Sequence, residues 1–188
     1  QHIREIEMTT TPNGVPITQW NPGNFMSGLD MDLSDNVYVA VNYSIKKFSS
    51  TGLLLLQFGS QGTGPGQFIS PQDVAVDSQG NIYVADPSRI LKFNSYGNFI
   101  MQWGSSGNGF GQFNWVAKIV IDSADYIYVS DRYNDRVQKF DSNGNFITLF
   151  GSYGYGNDQF NTPNGIAIDC AGKIYVADQY NHRIQRFS

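Results

Sequence analysis

Cysteine occurs once in the 188 residues, as Cys170, so no internal disulfide can form. It follows Asp169 in a turn-like stretch and reads as a partly exposed free thiol. Histidine is almost as rare, at His2 and His182 only. Charge is sparse: 15% of residues are charged, the formal net charge is −4 and the sequence pI is about 4.9. A nucleic-acid binder normally carries a basic balance or a basic stripe, and neither is present. No run approaches the roughly 18 apolar residues of a membrane span, and the cluster Leu53 to Leu56 lies beside a turn. Sustained 3.6-residue periodicity is missing, which excludes helix-pair solenoids. The opening Gln-His-Ile-Arg lacks the basic-then-apolar order of a signal peptide, so a signal has been removed or the chain is a piece of something longer.

What is abundant points to turn-rich β-structure. Gly 20, Tyr 11 and Phe 13 are high for this length, and aromatics suit pleated, half-buried surfaces while glycine suits tight turns. Few lysines beside many Asn, Gln, Ser, Gly and Tyr lean toward an extracellular or cell-surface protein of a prokaryote.

Self-similarity organises the whole chain. Asp32, Asp77, Asp122 and Asp169 recur at intervals of 45, 45 and 47 residues, and each is followed six residues later by Tyr38, Tyr83, Tyr128 or Tyr175. The surrounding segments read MDLSDNVYVA, AVDSQGNIYVAD, VIDSADYIYVSD and AIDCAGKIYVAD. A polar loop follows each, then an alternating run: SIKKF, RILKF, RVQKF and RIQRF. Gly52, Gly97 and Gly144 open a fourth run, and a glycine-rich link then ends in Gln67-Phe68, Gln112-Phe113 or Gln159-Phe160. Four short runs per period, bounded by turn residues, predict an antiparallel meander A to D, and its tandem repetition predicts an all-β propeller of four-stranded blades. The expected organisation is a single domain over 1–188, with repeats at about 25–67, 68–112, 113–159 and 160–188, the last completed by 1–24.

The stretches FGSQGTGPGQFISPQDVAVDSQGNIYVADPSRILKF and FNTPNGIAIDCAGKIYVADQYNHRIQRF resemble the NHL repeat. The resemblance covers nearly the whole chain, and blade 1 departs most, with Val41 where the others have aspartate. It implies a propeller, commonly of six blades, that often serves as an interaction platform. Val15–Trp20 (VPITQW) reads as a D strand and residues 160–188 as A to C, the arrangement by which a propeller closes its ring and removes unpaired edges. Ile3–Met8 reads as a further C strand, one too many for a four-blade ring. Closure with four blades and membership of a larger propeller both stand, and an incomplete propeller would leave room for an oligomer.

The longer D–A and B–C loops share one face and form the candidate binding face. Asp131 with Arg136, and Asp178 with Arg183, repeat at equal spacing and read as ion pairs bracing the B–C loops. The non-repeating Tyr43, Arg89, Arg132, Tyr133, Gln179 and Tyr180 are the candidate contacts. Asp30, Asp73, Lys118 and Asn164 are expected to line the central channel, where ordered water or a cation would sit. The recurring aspartates read as Asx-type turns, the recurring Gln as a brace for its link, and Phe68, Phe113 and Phe160 as packing between blades. The glycine-rich links precede no helix and are not phosphate loops.

No catalytic constellation, metal ligand set or cofactor is assigned. The expected function is a non-catalytic scaffold for a protein, peptide or glycan. Two alternatives follow from the resemblance: a lyase or lactonase-like enzyme with a channel metal, and single-stranded RNA binding through Arg89, Arg132, Arg136, Arg183, Tyr133 and Tyr180. The first needs more histidines or inward carboxylates than are evident, and the second is opposed by acidity and Asp–Arg pairing.

Overall fold

Every blade is pinned by one aspartate turn. In the computed structural model, which describes residues 19–188, Asp77 Oδ1 accepts the backbone N–H of Gln79 at 3.0 Å and of Asn81 at 2.8 Å, closing the A–B turn. Its Oδ2 accepts the Tyr83 hydroxyl at 3.1 Å, and the same bond joins Asp32 to Tyr38, Asp122 to Tyr128 and Asp169 to Tyr175. The six-residue spacing is thus the reach from the turn to the second residue of strand B.

Blade 1 contains β1 (Met26–Met31), β2 (Val37–Val41), β3 (Ser44–Phe48) and β4 (Leu54–Phe58). Blade 2 contains β5 (Asp73–Val76), β6 (Ile82–Asp86), β7 (Arg89–Phe93) and β8 (Phe99–Trp103). In the link that follows, β9 (Ser105–Ser106) pairs in parallel with β10 (Gln112–Phe113). Blade 3 contains β11 (Val116–Ile121), β12 (Ile127–Asp131), β13 (Arg136–Phe140) and β14 (Phe146–Phe150), and blade 4 contains β15 (Pro163–Ile168), β16 (Ile174–Asp178) and β17 (Arg183–Phe187). The sheet of each blade is an antiparallel meander in chain order. The second strands are the most enclosed, with β6 and β12 buried throughout, whereas β4, β8 and β14 alternate like edge strands.

The core lies between blades. Blade 1 presents Tyr38, Ala40 and Ile45 to Val74, Ile82, Val84, Leu91 and Phe93 of blade 2, with Phe68 wedged among them. Blade 2 presents Ala75, Tyr83, Ala85 and Ile90 to blade 3 around Phe113, and blade 3 presents Val120, Tyr128 and Val137 to blade 4 around Phe160. β1 packs on β5, β5 on β11 and β11 on β15, so the first strands follow one another around the axis.

The expected strand at Ile3–Met8 and most of that at Val15–Trp20 lie outside the described residues. Among the described residues the fourth sheet has three strands, and β1 does not pack closely on β15, β16 or β17. Residues Pro22-Gly23 replace the Gln-Phe pair that leads into the other blades, so blade 1 lacks the phenylalanine wedge that seals the other junctions.

Candidate binding face

The B–C loops are shaped by a buried aspartate and an arginine that face each other across strands B and C. Asp131 pairs with Arg136 and Asp178 with Arg183, each with Nε to Oδ2 at 2.8 Å, and the carboxylates are almost wholly buried. Each guanidinium then donates to the glycine-rich link that enters its own blade. Arg136 reaches the carbonyls of Asn108, Gly109 and Gln112, and Arg183 those of Tyr155, Gly156 and Gln159. Asp131 and Asp178 also accept the backbone N–H of Asn114 and Asn161. The expected ion pairs are present, and they clamp loop to link.

Arg89 belongs to the same device, which corrects its assignment as a contact residue. It is 6% exposed, pairs with Asp86 at 3.1 Å and donates to the carbonyls of Gly62, Thr63 and Gln67. Its loop is shorter, so the pair is three residues apart rather than five, although the cross-strand register is unchanged. With these donors engaged inside the protein, Arg89 offers nothing to a ligand.

Arg132, Tyr133, Gln179 and Tyr180 lie in two 3-10 turns, Arg132–Asn134 and Gln179–Asn181, each ended by a left-handed residue, Asp135 and His182. Arg132 Nη2 donates to Gln179 Oε1 at 3.2 Å, joining the turns of adjacent blades. Its guanidinium lies 5.3 Å from the Tyr133 ring centroid, a cation–π arrangement. Trp115 also packs on Tyr133, 6.4 Å between centroids and tilted 55°. The Trp115 backbone is left-handed, at φ 70°, held by its carbonyl accepting the Arg132 N–H at 3.0 Å. The equivalent Phe25 and Thr162 are left-handed too, at φ 54° and 62°, so this backbone belongs to the entry turn of the blades. Tyr133 and Tyr180 are more than half exposed. Tyr43, on blade 1, is 40% exposed and is not joined to this cluster.

Trp115 was not among the residues singled out from sequence, and neither were Tyr153 and Tyr155, exposed in the link before blade 4 with rings 6.2 Å apart. All three are exposed aromatics of the D–A links, and Phe25 holds the place of Trp115 in blade 1. The signal for them is an aromatic side chain in a D–A link, as Tyr133 and Tyr180 are aromatics of the B–C loops.

The channel candidates do not form one ring. Cross-strand register places Gly28, Asp73, Lys118 and Gly165 at equivalent positions, opposite Ala40, Ala85, Ser130 and Ala177. Asp30 is two residues further on and Asn164 one residue before: the ring position is the fourth residue before each recurring aspartate. Asp73 pairs with Lys118 Nζ at 3.2 Å and accepts the Ile119 N–H at 3.1 Å. Burial nevertheless dominates, and it pushes the Asp73 carboxyl up to about 6 against the pull of Lys118 and Ile119. Asp30 accepts the Val76 N–H at 2.9 Å, and the Asn164 carbonyl accepts the Ser130 hydroxyl at 3.2 Å. Among the described residues no three His, Cys, Asp or Glu side chains converge as a metal site.

The NHL repeat family model matches residues 68–89 and 160–187. A search of curated proteins found no match to the chain. Among solved structures, a streptogramin B lyase superposes with a TM-score of 0.65 at 14% identity, over 89% of this chain and 55% of its own. A catalytically inactive virginiamycin B lyase from Staphylococcus aureus with quinupristin gives 0.62 at 12% identity, over 90% and 57%. A protein of unknown function from Bacteroides thetaiotaomicron gives 0.68 at 15% identity, over 86% and 46%. The chain therefore spans about half the length of the solved structures it matches, and at these identities the likeness is one of fold. The chain is thus a β-propeller of four blades on a single plan, with matches to the NHL repeat at two of them.

Proposed function

We propose that the chain is a non-catalytic scaffold whose B–C and D–A loop face binds a protein, peptide or glycan segment. The observation that carries this reading is the cluster of Trp115, Arg132, Tyr133 and Gln179, built from two blades. The repeating charges are consumed in bracing the fold, so this cluster is what the face has left to offer. Flat aromatic surfaces take the apolar face of a peptide side chain or a sugar ring. The Arg132 and Gln179 polar groups at the rim suit carbonyl or hydroxyl partners.

The test uses labelled protein on peptide and glycan arrays. Tyr133→Ala with Tyr180→Ala should weaken retention at least about tenfold, the loss of one good aromatic anchor. Tyr96→Ala, on the opposite face and 78% exposed, should leave retention unchanged. Equal retention by all variants would sink the proposal. So would turnover of a streptogramin-type or lactone substrate by the same preparation, which would favour the enzyme alternative raised by the lyase neighbours.

A further inference from the structure

Four arginines stand at the B–C loops, and three of them are engaged by the fold. Arg89, Arg136 and Arg183 each pair with an aspartate of their own blade and donate to carbonyls of its link. Arg132 has no carboxylate partner among the described residues. Asp135, three residues on, instead accepts the Thr162 N–H at 2.7 Å. Arg132 Nη2 donates to the neutral Gln179 Oε1, and its Nε–H is buried without a hydrogen-bond partner among the described residues. Nε and Nη2 form one of the edges by which a guanidinium grips a carboxylate through two parallel bonds. Here that edge holds a single amide oxygen, on one of its two donors.

The repeat does not require this cation. The equivalent positions carry Asn42, Pro87 and Gln179 in blades 1, 2 and 4. Arg132, Tyr133 and Trp115 all belong to blade 3, which is flanked by blades 2 and 4, and Gln179 comes from the adjoining loop of blade 4. Arg132 is half-buried on the Tyr133 ring, so its charge is partly withdrawn from water without an opposite charge beside it. That is costly unless something else supplies the charge.

We propose that Arg132 binds a carboxylate of a peptide partner, an Asp or Glu side chain or a chain terminus, which takes the place of Gln179 Oε1 and reaches Nε as well. The proposal rests on the reading of this face as the binding face. A carboxylate matches the site in charge, because one guanidinium balances one negative charge. A phosphate group carries nearly two, and the neighbouring arginines are already engaged. A peptide matches it in shape. Arg132 lies over the Tyr133 ring and Trp115 is tilted 55° to it, so the two rings share no plane on which one sugar could stack. Tyr133, 52% exposed, and Trp115, 38% exposed, take the apolar side chains that flank the acidic residue.

The test is an array of peptides in matched pairs, Asp against Asn and Glu against Gln, each with a free and an amidated terminus. The wild type should retain the carboxylate member of retained pairs about tenfold better, the worth of one charge-assisted hydrogen bond. The preference should shrink as salt rises from about 0.1 to 1 M. Amidation abolishes it if the chain terminus is the source and leaves it intact if the side chain is. Arg132→Gln places at this position the residue blade 4 carries, so the wild-type circular dichroism and melt should remain while the preference disappears. Equal retention of both members by the wild type, or a preference that survives in Arg132→Gln, overturns the carboxylate site. If Tyr133→Ala with Tyr180→Ala still weakens retention in that case, the binding face stands without it. Retention confined to glycans, acidic ones included, overturns the peptide partner, and retention of nothing removes the face and this site together.

Discussion

At the scale of single residues, the same side chain does opposite work according to its register. Arg136 and Arg132 are four positions apart, yet one is buried against Asp131 and the other lies over Tyr133 at the surface. Arg136→Ala leaves the buried Asp131 carboxylate without its counter-charge and removes the guanidinium bonds to three link carbonyls. Urea titration should show a loss of about 3–5 kcal/mol, as for other broken buried pairs. Arg132→Ala should cost about 0.5 kcal/mol or less. Asp73 gives a pH signature. Its carboxyl titrates near 6 in the fold and near 3.8 when unfolded, so the fold binds this proton more tightly. Stability from this group is complete below about 3.8 and is lost as pH rises through about 6, a step of up to about 3 kcal/mol. Asp32 runs the other way. Burial alone would raise its carboxyl, but Asn36, Lys47 and the Ser34 N–H together hold it near 2, so its contribution is present above 3.8 and lost on acidification. Thermal melts from pH 4 to 7 should show the Asp73 step, and Asp73→Asn should remove it.

At the scale of elements, the turns and links decide how closely blades approach. Gly151 has φ 98°, and a Cβ there would stand 2.5 Å from the Phe160 ring and 3.0 Å from the Asp135 carbonyl oxygen. Gly151→Ala should therefore cost about 1–3 kcal/mol through overpacking, added to the strain of its backbone. Gly172, at φ 76° with open space around it, isolates the backbone cost, and Gly172→Ala should lose only about 1 kcal/mol. Chemical denaturation of the two variants separates the terms. The strands and turns were legible because alternation and the Asp-to-Tyr spacing are local. The Asp86–Arg89 pair escaped the spacing rule because its loop is shorter, while the cross-strand register that unites the three pairs is a property of the sheet.

At the scale of the whole molecule, stability is a sum of blades and the junctions between them. Phe113 is fully buried between blades 2 and 3, and Phe113→Ala should cost about 3–5 kcal/mol. Its second effect is on cooperativity: calorimetry should resolve two transitions where the wild type shows a more unified one, since blades 1–2 and 3–4 lose their coupling. The loop face gains from this architecture, because Arg132 and Gln179 are aligned by the junction of blades 3 and 4 rather than by either blade alone.

By itself the sequence determined the repeat, the strand order, the turn chemistry and two of the three loop-bracing ion pairs. Each rests on residues close together in the chain or on their recurrence at a fixed period. Only the tertiary structure decided that Arg89 is interior and that Trp115 joins Tyr133. Those outcomes depend on how blades stack, and stacking is set by wedges, loop lengths and register between segments some 45 residues apart.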